Sequence, residues 1–207
     1  MLTTDLLDGY RRFRTGAHAQ QRALYDELAQ GQSPATMIVS CADSRVDPAT
    51  IFDASPGELF VVRNVANIVP PFEKGGGYHG VSSAIEFAVL GLKVSEIVVM
   101  GHDSCGGIAA ALHGHDLLPP GASFITRWME IVASARDRVA REAAADPGLD
   151  AQQALEFAAI EVSLGNLRGF PFVAEAERAG RLRLTGTHFS VASGTLEVLA
   201  ADGFRAA

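Results

Sequence analysis

Two short apolar runs, Thr36–Val39 and Ile97–Met100, each lead directly into a segment that carries chemistry rather than packing. The first enters Cys41-Ala42-Asp43-Ser44-Arg45, and the second enters His102-Asp103-Ser104-Cys105-Gly106-Gly107. Runs this short and this apolar suit buried parallel strands. In open parallel sheets, ligands collect beyond the carboxyl ends of the strands, above all where the strand order reverses. If the two strands are neighbours, Cys41, His102 and Cys105 converge there without strain. His102 and Cys105 are three apart on a tight turn entering a helix, so both can face one ion. Gly101, Gly106 and Gly107 let that backbone turn sharply and come close to the site. Two thiolates and an imidazole are three good ligands for Zn²⁺, and three protein ligands leave one position for chemistry.

The rest of the chain sets bounds on this reading. At 207 residues one domain is expected, with enough chain for a full core. A hydrophobic content of 48% with 20% charged residues fits a globular protein rather than a disordered one. A net charge of −7 argues against nucleic acid or an anionic membrane as partner. No apolar run approaches the roughly 18 residues that span a bilayer. Asp5 and Asp8 come early, without a basic-then-apolar leader pattern, so a cytoplasmic location is expected. In such a compartment, the cysteines Cys41 and Cys105 are better used for metal or reactivity than for a disulfide.

The element pattern alternates. Two helical pieces, Leu6–Phe13 and Ala17–Leu28, broken near Thr15-Gly16, form an arm (residues 1–30) ahead of a turn at Gly31–Pro34. Strands are expected at Thr36–Val39, running on to Ser40-Cys41, and at Glu58–Val62 and Glu96–Met100. Pro70-Pro71 and Gly75-Gly76-Gly77 mark a loop before a helix over Gly80–Leu92. That helix carries Val81, Ala84, Ile85, Ala88, Val89 and Leu92 on one core-facing stripe. Further helices are expected at Phe124–Ala143, Ala151–Leu164 and Pro171–Ala179. A terminal hairpin of Arg181–Ser190 and Thr195–Leu199 turns at Ala192-Ser193-Gly194. Strands alternating with helices give an α/β fold, a mainly parallel central sheet flanked by helices with a C-terminal hairpin and an N-terminal helical arm.

Asp43 and Arg45, two residues apart on the first loop, can form a charge-assisted pair that leaves one carboxylate oxygen free to accept a hydrogen bond. The bland alternative is a surface ion pair of little worth. The Cys41-to-Arg45 spacing is shorter than the Cys-to-Arg spacing of a cysteine-phosphatase loop. A purely structural zinc needs four protein ligands and no adjacent acid–base pair, so a scaffold role fits less well than an enzyme.

These segments resemble the β-class carbonic anhydrases. So do Gly31–Pro34, the run Pro56–Asn67, Ala84–Leu90 and Ser163-Leu164-Gly165-Asn166-Leu167, in one order over nearly the whole chain from Gly31 onward. The resemblance implies Zn²⁺ on Cys41, His102 and Cys105, with Asp43 paired to Arg45 beside it. It favours the branch similar to the plant enzymes, with Gln32 hydrogen-bonding substrate and Phe60, Val65 and Phe87 forming an apolar pocket. Many relatives carry tyrosine where Phe87 stands. The implied reaction is reversible hydration of carbon dioxide to bicarbonate and a proton by attack of zinc-bound hydroxide, in a homodimer or higher oligomer. Alternatives on the same residues are a CS₂ or COS hydrolase and a catalytically silent zinc-stabilised scaffold.

Two departures matter. A branch that holds inhibitory bicarbonate uses a tryptophan, an arginine and a tyrosine where this chain has Ile38, Arg63 and Phe189. An open site, with Asp43 off the metal, is therefore expected, with a closed form in which Asp43 binds the metal kept as a pH-dependent alternative. Plant relatives can carry a histidine, a suggested proton relay, at Gly91, which leaves His79, His113 and His115 or buffer as candidate routes.

Overall fold

A computed structural model of the chain describes residues 3–73, 75, 79–113, 121 and 123–207. The chain forms two compact units, Met1–Ser33 and Pro34–Ala207. The first holds α1 (Thr4–Thr15), α2 (Ala17–Gln20) and α3 (Arg22–Leu28). The expected break lies at Gly16, and a second, unexpected one lies at Gln21, whose φ and ψ of −102° and 25° leave the helical region. Across these breaks Phe13, His18 and Tyr25 gather, with His18 and Tyr25 ring centroids 4.6 Å apart.

The second unit is built on a six-stranded sheet of β1 (Thr36–Cys41), β2 (Leu59–Asn64), β3 (Glu96–His102), β4 (Arg183–Phe189), β5 (Leu196–Ala200) and β6 (Gly203–Ala206). Its order is β2-β1-β3-β4-β5-β6; the first four run parallel and the last two form the antiparallel hairpin edge. β1 lies between β2 and β3, so the order reverses beside it and opens a crevice at its carboxyl end. β6 goes beyond the expected hairpin. It follows a two-residue turn at Ala201-Asp202 into Gly203, whose φ of +117° suits glycine.

Two helices start at side-chain caps. Asp47 accepts the Thr50 amide at 3.0 Å to start α4 (Pro48–Ile51), and Asp150 accepts the Gln153 amide at 3.0 Å to start α9 (Ala151–Arg168). Between them lie α5 (Gly80–Glu86), α6 (Gly106–His113), α7 (Ser123–Met129) and α8 (Ala133–Ala145), and α10 (Pro171–Arg178) follows. α5 widens into a π-turn over Phe87–Leu92. Of its expected stripe, Ile85, Ala88 and Val89 are buried, while Val81, Ala84 and Leu92 are half-buried against the same core. The helix expected over Phe124–Ala143 is interrupted by a 3₁₀ turn at Glu130–Val132. In a 3₁₀ turn residues three apart eclipse, which aims both Met129 and Val132 inward.

Two cores result. One lies between a sheet face and α5, α9 and α10; the other lies beyond the strand ends among α6, α7, α8 and α9. α9 serves both, with Ile160, Leu164 and Leu167 in the first and Leu155, Ala158 and Ala159 in the second. That double burial is why its sequence is apolar on more than one side. No helix among the described residues is long and apolar enough to cross a membrane.

Candidate metal centre

β1 and β3 deliver their terminal residues to the same crevice. The Cys41 and Cys105 sulfurs stand 3.9 Å apart, and with a ring nitrogen of His102 the three ligand atoms lie within 4.8 Å of one another. Both thiols are free and buried. Their separation is nearly twice a disulfide bond of about 2.05 Å, yet it matches the roughly 3.8 Å between two sulfurs on one tetrahedral zinc. His102 Nδ1 lies 2.8 Å from the Asp103 carbonyl, so an Nδ1–H tautomer donates there and leaves the Nε2 lone pair free. That Nε2 is buried and has no hydrogen-bond partner among the described residues. A satisfied structural histidine does not leave such an atom bare. The donor set, soft sulfur with one imidazole, is one that suits zinc among the softer metals.

Electrostatics prepare one thiolate even without an ion. A hydrogen bond from Cys105 pulls the Cys41 thiol down to about 4 against the cost of burial, with help from His102. The same hydrogen bond, with burial, pushes the Cys105 thiol up. Burial works against charge on His102, but the Cys41 sulfur beside it and the charge there outweigh that cost, and the net direction is upward.

Beside the cluster, Arg45 grips Asp43 with Nε on Oδ1 at 2.9 Å and a terminal nitrogen on Oδ2 at 2.7 Å. The Arg45 amide also donates to Oδ1 at 2.9 Å. The spacing predicts one free carboxylate oxygen, whereas both are engaged; the pairing is bidentate because the guanidinium fork matches the carboxylate. Oδ2, with one of these donors, keeps an acceptor position and lies 4.0 Å from His102 Nε2. The Arg45 side-chain hydrogen bonds hold the Asp43 carboxyl well below the usual carboxylate range, against a smaller cost of desolvation.

Arg63 has a different task. Its guanidinium donates to the carbonyls of Cys41 at 3.0 Å and Asp43 at 2.6 Å, and it approaches Asp47 at 3.4 Å. It thus staples the loop that carries Cys41 and Asp43. Ile38 is buried beside Val98 and Met100, and Phe189 packs in the core with Cys41 and Cys105. Gly107 lets the start of α6 press on the loop after β2, because a Cβ there would stand 2.7 Å from Val65 Cγ1. Gly101 is equally tight, with Ile160 at 2.8 Å from such a Cβ. Gly106 differs from expectation: open space surrounds its Cβ position, so no close approach needs it.

The pocket candidates separate. Phe60 and Phe87 are neighbours with centroids 5.9 Å apart, and Phe87 is 53% exposed. Val65 joins Asn64, Phe124, Ile125 and Trp128 around an apolar cavity of about 450 Å³, where Trp128 Nε1 donates to the Val65 carbonyl at 2.8 Å. Gly91 lies in the π-turn, and a Cβ there would meet the Phe87 ring at 3.2 Å, so a larger residue would press on that ring. Gln32 is exposed and belongs to the N-terminal unit. His113 is exposed at the end of α6, His79 is half-buried ahead of α5, and His115 lies outside the described residues.

Sequence reasoning missed the layer beneath the ligands. Asp103 accepts from the Ser190 hydroxyl at 2.8 Å and the Val191 amide at 2.9 Å, tying β3 to the hairpin. Glu156 accepts the Cys105 amide at 3.0 Å. Its only signal was an acidic residue in an otherwise apolar turn of α9.

Comparison with known proteins agrees with this geometry. The family model described as carbonic anhydrase matches residues 36–196. Over 195 residues the chain is 36% identical to beta carbonic anhydrase 3 of Arabidopsis thaliana, covering 94% of this chain and 75% of that one. The chain belongs to the β-carbonic anhydrase family. The solved β-carbonic anhydrase CcaA superposes with a TM-score of 0.90 at 29% identity, covering 98% of this chain and 91% of its own. A tetrameric β-carbonic anhydrase of Sordaria macrospora gives 0.83 at 28% identity, covering 95% of each chain. As a β-carbonic anhydrase, the chain is an enzyme of the carbonate dehydratase class.

Proposed function

We propose that this protein hydrates carbon dioxide reversibly to bicarbonate and a proton, using Zn²⁺ held by Cys41, His102 and Cys105. The bare, buried Nε2 of His102 facing two free thiols carries this reading. When bound in a three-ligand site, zinc lowers the pKa of water toward neutrality and so supplies a hydroxide nucleophile. Two thiolates cancel the formal charge of a divalent ion, so orientation of the attacking oxygen falls to the protein.

Asp43 serves that task. Arg45 keeps its carboxyl ionised, and the remaining acceptor position on Oδ2 takes the nucleophile's proton in a hydrogen bond. The oxygen lone pair then points at the carbon of the substrate. Phe60 and Phe87 on one side, and Val65 at the apolar cavity, are the residues expected to meet a small linear apolar molecule. Bidentate engagement of Asp43 by Arg45 favours the open site. Arg63, already committed to two loop carbonyls, is not free to hold an inhibitory anion. The active form is a homo-oligomer, as the tetrameric relative supports.

The purified protein is expected to carry about one zinc per chain and to hydrate carbon dioxide in stopped-flow assays. Full zinc loading with no hydration at mildly alkaline pH would overturn the reading.

A further inference from the structure

Among the described residues, Glu156 is the only carboxyl group in the buried core, at 3% exposure. A buried carboxyl is costly unless its oxygens are hydrogen-bonded, and here each has a partner. Oε1 accepts from the Cys105 amide at 3.0 Å and from Gln152 Nε2 at 3.2 Å. Oε2 lies 3.1 Å from Nε2 of His188 on β4, itself 1% exposed.

His188 is fixed in turn. Its ring stands edge-on to Phe157 at 4.8 Å, and Phe157 stacks on Phe204 of β6 at 4.3 Å. Directly across the hairpin, Glu197 of β5 brings Oε2 to 3.6 Å from His188 Nδ1. The imidazole is thus set by three elements before it meets Glu156.

The group that Glu156 holds is one peptide unit shared by both halves of the site. Its N–H belongs to Cys105 and its carbonyl to Ser104, and that carbonyl accepts from Arg45 at 3.1 Å. Ser104 adopts a φ of +52°, a left-handed conformation that needs support from its surroundings. Glu156 grips this peptide from inside and Arg45 grips it from outside.

We infer that Glu156, held in place by His188, is a positioning residue that fixes the Ser104–Cys105 peptide, and with it both the Cys105 sulfur and the Arg45–Asp43 pair. This rests on the reading of Cys41, His102 and Cys105 as zinc ligands. Outer hydrogen bonds of this kind orient ligands and set affinity.

The test measures Zn²⁺ affinity of the full chain by competition with a chromophoric chelator, with Co²⁺ absorption as a spectroscopic check. Glu156→Ala is expected to weaken Zn²⁺ about 10–100-fold and to alter the Co²⁺ bands. Glu156→Gln, whose amide oxygen still accepts the Cys105 N–H while His188 turns acceptor, is expected to stay within about threefold of the parent. His188→Leu should lose affinity and His188→Gln should recover it, since the side-chain amide nitrogen introduced by the second substitution reaches the position of the imidazole Nε2. Folding is followed by circular dichroism. If Glu156→Ala does not fold, the His188 pair decides. Folded Glu156→Ala or His188→Leu with unchanged affinity and unchanged Co²⁺ bands overturns the inference. A parent protein that binds neither metal overturns the zinc reading itself, a separate result.

Discussion

The two loops that supply the ligands are held by opposite kinds of force. The Cys41–Arg45 loop sits at the surface and is organised by charge: Arg45 on Asp43, and Arg63 on two carbonyls. The His102–Cys105 turn is organised from within, by Glu156, His188 and the packing of Gly101 and Gly107. Surface ion pairs are screened by water and salt, whereas buried networks resist both. On the proposed reading, the first loop adds to the ligand Cys41 a proton acceptor that exchanges with solvent, while the buried turn fixes the other two ligands, His102 and Cys105. On that reading, one half prepares the chemistry and the other keeps its geometry.

Substitutions on each side should separate these tasks. The largest effect is expected from Cys105→Ser on the buried side, which removes a soft ligand. Zinc affinity by chelator competition should fall more than about a hundredfold, beyond the cost of an outer-shell change, and hydration should fall to the metal-free background. Retained affinity would dissolve the comparison. Asp43→Asn on the exposed side should leave zinc content unchanged and lower kcat by about a hundredfold or more, the scale of a lost proton-handling group. Undiminished turnover with metal bound would remove Asp43 from the reaction.

Arg45→Ala sharpens the same contrast through pH. Arg45 depresses the Asp43 pKa, so its loss should raise that pKa toward the ordinary carboxylate value. Asp43 then takes up a proton at higher pH, and the acid side of the kcat/KM profile should fail earlier, below about pH 5. An acid limb identical to the parent's contradicts the role given to Arg45.

The smallest effect should come from the opposite end of the sheet. Glu96 has a lowered pKa, first because of its hydrogen bonds with Arg183. Such a group stabilises the fold above the unfolded carboxyl pKa and loses that contribution as pH falls through the folded value. Glu96→Gln should cost about 0.5–1 kcal/mol at neutral pH, given solvent screening, with the difference vanishing in acid and activity unchanged. Denaturant titrations at two pH values read this directly.

Much of this was legible in the chain because the relevant signals are local. Thr36–Val39 and Ile97–Met100 are apolar runs too short for helices, and the residues that follow each run mark a strand's carboxyl end. The alternation of elements points to a parallel sheet, but that β1 and β3 are neighbours, which brings Cys41, His102 and Cys105 together, is given only by the strand order. The 3₁₀ turn at Glu130–Val132 was not legible, because its cause is the demand of two buried side chains on a core made elsewhere. The bidentate grip on Asp43 depends on a rotamer rather than on spacing. Glu156 was hidden most deeply. A glutamate in a helix reads as a solvated face until His188, from a strand later in the chain, is folded against it.

The most direct measurement is the zinc-edge X-ray absorption spectrum of the purified protein at neutral pH, with the Asp43→Asn variant alongside. The prediction is two sulfur scatterers at about 2.3 Å and one imidazole, unchanged by the Asp43 substitution, with one position left to non-protein ligand. A shell without sulfur, or one that loses an oxygen when Asp43 is replaced, would contradict a Cys41–His102–Cys105 centre with Asp43 standing beside the metal.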